Sequence, residues 1–155
     1  KISYELEKRL EAEGYRAKYL FISGSRIPSI PEPKPIYHLP DEAFKRELGR
    51  FEGTPKEILE NQELLDFFLP MLRADFTMDE TYYDKAGVVL HTPISAFGGE
   101  KDGEADESAI CEWGKYTDND FDYRIFPGGH FYLRDYEDEV ISEVERRLQG
   151  MINGG

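Results

Sequence analysis

Pro93-Ile-Ser-Ala-Phe-Gly-Gly99, followed at once by Glu-Lys-Asp102, and Tyr123-Arg-Ile-Phe-Pro-Gly-Gly-His130 decide how this chain is read. Each stretch opens as a short apolar run and closes on paired glycines. The spacing predicts strands over 93–97 and 123–126. A helical pattern at about 107–115 lies between them. Strand, helix, strand argues for neighbouring parallel strands in a sheet covered by helices. Such sheets bind ligands at the carboxyl ends of their strands. Asp102 follows the first of these strands and His130 the second, so both are expected at one edge of the sheet.

Outward from this centre the alternation continues. Tyr136, Val140, Ile141, Val144 and Leu148 make an apolar stripe on a last helix over 136–148, and 151–155 reads as a frayed tail. Toward the start, Ile2, Leu6 and Leu10 share one face of a helix over 1–13, which Gly14 stops. Residues 16–22 read as a strand with a buried apolar end. Five prolines between 28 and 40 then forbid regular structure. Asp41 is expected to cap a helix over 42–48, and Thr54 to cap one that begins at Pro55. The most apolar helix spans 62–75, where Leu64, Leu65, Phe67, Phe68, Met71 and Leu72 fill more than one face; Pro70 should kink or break it. Core packing and a cover over a hydrophobic pocket both fit this pattern. Three strands are few for a parallel sheet, which leaves an exposed edge at the first strand.

Composition sets the outer limits. The 155 residues suit a single domain, and 39% hydrophobic residues with 14% aromatics suffice for a core. Net charge is −13, so the surface repels nucleic acid and, at long range, any acidic partner. No apolar run reaches membrane-spanning length, so no membrane partner is expected. The one cysteine, Cys111, forbids an internal disulfide, suits a reducing cytoplasm, and reads as a small apolar residue on a helix.

An acid after one strand and a histidine after the next, in that order, is the tail of the α/β-hydrolase triad. The carboxylate would fix the imidazole tautomer, leaving the other ring nitrogen to take a proton from a nucleophile. Asp106 is the second candidate acid in the same loop. Either acid fits a solvated loop residue equally well, and His130 a turn residue made tolerable by two glycines. The nucleophile elbow G-x-S-x-G occurs nowhere in the sequence. Ser3 lies within the first helix; Ser23 and Ser25 lie at a strand's carboxyl end, suited to substrate contact but not on a strand-to-helix turn.

Six segments in order resemble the type II thioesterases of nonribosomal peptide and polyketide synthesis, over most of residues 1–134. They are Leu20-Phe-Ile-Ser-Gly-Ser-Arg-Ile-Pro28, Leu39-Pro-Asp-Glu-Ala-Phe44, Gly53-Thr-Pro-Lys-Glu-Ile-Leu-Glu-Asn61, Leu64-Leu-Asp-Phe-Phe-Leu-Pro-Met-Leu-Arg-Ala-Asp-Phe76, Pro93 to Gly99, and Phe126-Pro-Gly-Gly-His-Phe-Tyr-Leu133. The resemblance implies an α/β-hydrolase fold with a helical lid at about 40–78, its N-terminal strands and elbow falling before Lys1. It implies Asp102 and His130 as triad acid and base, and Leu64, Leu65, Phe67, Phe68, Met71 and Leu72 as lid and acyl-pocket residues. The implied reaction is hydrolysis of acyl or aminoacyl thioesters from the phosphopantetheine arm of an acyl or peptidyl carrier protein. No cofactor or metal is expected, since the substrate itself carries the phosphopantetheine. The family places a proline right after its acid, where this chain has Gly103, so Asp106 stays open beside Asp102. A chain without its elbow is expected to be inactive alone. An esterase of small esters and a non-catalytic module that binds acyl chains or carrier proteins are the alternatives.

Overall fold

The apolar run after Pro93 becomes the middle strand of a three-stranded parallel sheet. The structure, a computed structural model, describes residues 1–51 and 53–153. Its elements in chain order are α1 (Ile2–Ala12), β1 (Leu20–Ser23), α2 (Asp41–Leu48), α3 (Lys56–Leu59), α4 (Gln62–Thr81), β2 (Ile94–Gly99), α5 (Glu107–Cys111), a 3-10 turn (Glu112–Tyr116), β3 (Phe121–Phe126), α6 (Tyr132–Asp135) and α7 (Glu137–Asn153). Of the tail expected to fray, residues 154 and 155 lie outside the described residues. The sheet order is β1-β2-β3, with Leu20 opposite Ile94 and Gly99 opposite Phe126. All six residues of β2 are buried, as a strand covered on both faces requires.

Alternation along β2 divides the core in two. Ile94 and Ala96 face a cluster that includes Tyr4, Leu20, Ile22, Ile110, Trp113 and Tyr116. Phe97, two residues from Ser95 on the other face, joins Phe126, Tyr132 and Val140. The first strand is shorter than 16–22, because β2 begins only at Ile94 and leaves nothing for earlier residues to pair with. Ala17 donates its N–H to the buried Glu7 carboxylate instead, at 2.9 Å. The helix expected over 107–115 changes to a 3-10 turn after Cys111. A 3-10 turn puts residues i and i+3 on one face, and here that face carries Trp113 and Tyr116 into the core.

The stripe expected on the last helix is corrected in part. Val140 is buried and Tyr136 and Val144 pack against the same cluster, but Ile141 and Leu148 are exposed, and Glu143 and Arg147 go inside. The two charges are paired: Arg147 bridges Glu143 and Asp122, and Arg124 and Arg146 also reach Glu143. Pairing makes burial of such groups tolerable.

The chain divides into two compact units: Lys1–Ile27 with Gly87–Gly155, and Pro28–Ala86. The second unit has its own core of Ile36, Phe44, Leu48, Leu65 and Leu69. Its proline-rich segment has no ladder to join, so α4 supplies partners. Glu80 accepts the N–H groups of Ile36 and Tyr37, and Arg73 donates to the carbonyls of Tyr37 and Leu39. Arg73 also takes the Asp41 carboxylate at 2.7 Å, so Asp41 does not cap its helix; Pro40 holds that position. Pro55, not Thr54, occupies the cap position of α3. Pro70 neither ends nor breaks α4, which runs on to Thr81. Pro70 and Asp66, whose carbonyl loses its usual N–H donor to the proline, are both exposed.

Candidate active site

Both residues singled out at the strand ends meet. His130 Nδ1 lies 2.9 Å from Asp102 Oδ2. The loops that carry them are joined backbone to backbone just past the sheet. Glu100 donates its N–H to the Phe126 carbonyl and Lys101 to that of Gly128, each at 2.8 Å. Gly99 is the residue that allows this approach. A Cβ there would stand 2.2 Å from the Gly129 carbonyl oxygen, which no side chain tolerates.

The Asp102 side chain is fully buried, whereas that of His130 keeps 36% of its exposure. Asp102 Oδ1 accepts the N–H groups of Glu104 and Ala105 at 2.8 and 3.1 Å, closing a turn on itself. Burial of the carboxyl acts to raise its pKa, but the bonds from His130 and from the Glu104 and Ala105 amides outweigh this. The acid is therefore held below the ordinary carboxylate range, ionised at neutral pH. An ionised Oδ2 at Nδ1 is an acceptor, so that nitrogen carries the proton and Nε2 is left as the basic one.

Asp106 is separated from this pair by role. It caps α5, accepting the Ala109 N–H at 2.9 Å and the Ser108 hydroxyl at 2.7 Å. The Ser108 hydroxyl first, then the Ala109 amide, lower its pKa, and neither contact involves His130.

Three further residues complete the setting. Gly24 follows β1 with φ +54, and a Cβ on it would lie 3.1 Å from His130 Cε1 and 3.6 Å from Asp102 Oδ2. Backbone alone therefore forms the wall beside the imidazole. Tyr132, fully buried, brings its hydroxyl to 2.6 Å from Ser23 Oγ. Burial pushes the Tyr132 phenol up to about 12; the Ser23 bond works against this and the Asp102 charge with it. The phenol is thus protonated at any ordinary pH. The Ser25 hydroxyl turns to the Arg26 carbonyl, while its own carbonyl accepts Trp113 Nε1–H at 2.7 Å. Tyr132 and Gly24 escape sequence reading because their contacts are long-range; the only local signal is a Gly directly after a strand.

The apolar helix residues divide sharply. Leu65 is buried in the second unit's core, and Leu72 packs against that core. Leu64, Phe67 and Met71 point outward, with Phe67 76% exposed and set edge-on to Phe68. Among the described residues no group of three or more His, Cys, Asp or Glu could hold a metal ion, and no helix is long and apolar enough to cross a membrane.

The profile described as Thioesterase domain matches residues 1–148. The chain is similar to Thioesterase PikA5 of Streptomyces venezuelae, 34% identical over 148 residues, which cover 95% of this chain and 53% of that protein. It is similar to the gramicidin S biosynthesis protein GrsT of Aneurinibacillus migulanus, 35% identical over 150 residues, covering 96% and 59%. The crystal structure of ClbQ from the colibactin NRPS/PKS pathway matches with a TM-score of 0.86 at 28% identity, over 98% of this chain and 65% of that one. This chain therefore spans 53% to 65% of the length of these relatives. By these matches, and by its parallel sheet flanked by helices, the chain belongs to the thioesterase domain family and has an α/β-hydrolase fold.

Proposed function

We propose that this chain carries the acid and base of a thioesterase that removes acyl or aminoacyl groups from the phosphopantetheine arm of a carrier protein. The observation that carries the reading is the 2.9 Å bond between His130 and a buried, ionised Asp102 at adjoining strand ends. The likeness to proteins named for gramicidin S and colibactin pathways supports the substrate class. In this mechanism a serine hydroxyl attacks the thioester carbonyl while His130 Nε2 takes its proton. The thiol of the phosphopantetheine arm leaves with a proton returned by the imidazole. Water, deprotonated in turn by Nε2, then cleaves the acyl-serine to free acid and serine. Asp102 holds the tautomer throughout and stabilises the imidazolium. The substrate brings the phosphopantetheine, so the reaction needs no cofactor or metal. Leu64, Phe67, Phe68 and Met71 of α4 provide apolar surface for the acyl chain or the carrier, with Leu65 and Leu72 beneath them.

The serine belongs to a G-x-S-x-G elbow, a pattern these 155 residues do not contain. The test is release of free acid from an acyl-carrier protein. The 155-residue chain should release none. A version extended at its N-terminus to include an elbow should turn over, and His130→Ala in that version should slow it roughly a thousandfold. Comparable turnover by the 155-residue chain, or an unaffected His130→Ala variant, would refute the assignment. Equal rates on a soluble ester of the same acyl group would favour a general esterase.

A further inference from the structure

The loop that carries His130 is fastened by backbone on one side of the histidine and by a side chain on the other. On the β2 side the loop is fastened before His130, where Glu100 and Lys101 bond the carbonyls of Phe126 and Gly128. On the β1 side it is fastened after His130, where the Tyr132 hydroxyl meets Ser23 Oγ at 2.6 Å. The histidine stands two residues from each fastening. Without the second, the Tyr132 end of residues 129–132 would be held by ring packing alone.

The Tyr132 hydroxyl is directed by its ring. That ring is stacked on Phe126 with centroids 5.2 Å apart and planes 6° from parallel. It belongs to the cluster of Phe97, Phe126 and Val140, so the phenol cannot swing away without vacating the core. Ser23 is the last residue of β1, opposite Phe97 of β2, so its position is set by the sheet. Gly24 follows it and presents bare backbone to the imidazole. One hydrogen bond therefore ties the histidine loop to the strand whose next residue walls the histidine.

We propose that the Ser23–Tyr132 hydrogen bond is a clamp on the His130 loop, and that both are positioning residues for the Asp102–His130 pair. This rests on the reading of that pair as the acid and base. The clamp acts by keeping Nδ1 in line with Asp102 Oδ2, not by touching substrate. A net hydrogen bond of ordinary strength changes the balance between fastened and released loop about fivefold.

The test reads the pair directly, by nuclear magnetic resonance of the 155-residue chain labelled with ¹⁵N-histidine. The unsubstituted chain should show a downfield Nδ1–H signal for His130 that is lost in Asp102→Asn. In Tyr132→Phe, which keeps the stacked ring, this proton should exchange with water about fivefold faster. Ser23→Ala should do the same, and Ser23→Thr, which restores a hydroxyl, should recover the slow exchange. Ser95→Ala is the control for general loosening. It removes a buried hydroxyl that bonds Asp122 at 2.5 Å away from the histidine loop, and should lower Tm without changing the signal. Unchanged exchange in both Tyr132→Phe and Ser23→Ala, with the signal present in the parent chain, would overturn the clamp. Absence of the signal from the parent chain would instead overturn the acid–base pair itself.

Discussion

The loops that carry Asp102 and His130 are joined main chain to main chain, whereas α4 is joined to its own unit almost wholly by side chains. In the first region two amide-carbonyl bonds and a glycine with no room for a methyl group set the separation of the loops. In the second, Leu65 and Leu69 enter a core, Arg73 and Glu80 hold a proline-rich segment, and the outward face is left apolar. The proposed function gives this difference a reason. Proton transfer demands fixed distances, and backbone contacts fix distances best. Contact with variable apolar chains demands area and tolerates movement, which exposed Leu, Phe and Met side chains supply.

The sharpest way to break this contrast is Gly99→Ala. The added Cβ would meet the Gly129 oxygen at 2.2 Å, and the obstacle is backbone, which has no rotamer to change. The loops must part, at a cost of about 3 kcal/mol or more, beyond ordinary overpacking. Chemical denaturation should show the loss, and the His130 Nδ1–H signal should vanish in whatever folded protein remains. A stable variant with that signal intact would show that the loops are not held as tightly as their backbone contacts indicate.

Why part of this was readable and part was not is a matter of contact range. Short apolar runs closing on Gly-Gly mark the ends of β2 and β3, so the placement of Asp102 and His130 at one edge followed from local pattern. The sequence leaves Asp102 and Asp106 both open; the structure distinguishes them, because Asp106 caps α5 and Asp102 bonds His130. The Ser23–Tyr132 bond joins residues 109 apart, and no local pattern encodes it. The apolar stripe on the last helix gave no sign of the buried Glu143 and Arg147, because their partners lie on β3. Asp41 looked like a cap until Arg73, 32 positions away, claimed its carboxylate. Pro70 lies within α4 without ending it, and its effect depends on which side of the helix faces out, which the sequence around it does not state.

A change of intermediate size sharpens the electrostatic half of the comparison. Asp102→Asn keeps the shape but removes the charge that His130 and two backbone amides satisfy. A loss of about 1–2 kcal/mol is expected at neutral pH. The sign of its pH dependence follows from the lowered pKa of Asp102. The folded state favours the ionised form, so the contribution is complete above the unfolded carboxyl pKa of about 3.9. It disappears as pH falls through the lower folded-state value. Urea unfolding of the two chains should differ at pH 7 and converge below about pH 4. A gap that persists undiminished in acid would mean that packing, not charge, accounts for the loss.

The smallest expected effect on stability tests the other half. Phe67 is 76% exposed and only meets Phe68 edge-on at 5.1 Å, so Phe67→Ala uncovers little that folding had buried. Its cost should stay within about 0.5 kcal/mol, as for surface substitutions generally. If α4 offers this face to an acyl chain or carrier, the same variant should bind an acyl-carrier protein more weakly while its melting curve is unchanged. The two readouts separate because Phe67 belongs to no core cluster, unlike Leu65 two positions earlier, whose loss would lower both together. A variant that binds as tightly as the parent chain would remove Phe67 from the contact surface. A variant that melts several degrees lower would instead assign Phe67 to the fold. The contrast between a fixed polar pair and an adaptable apolar face would then hold only for the pair.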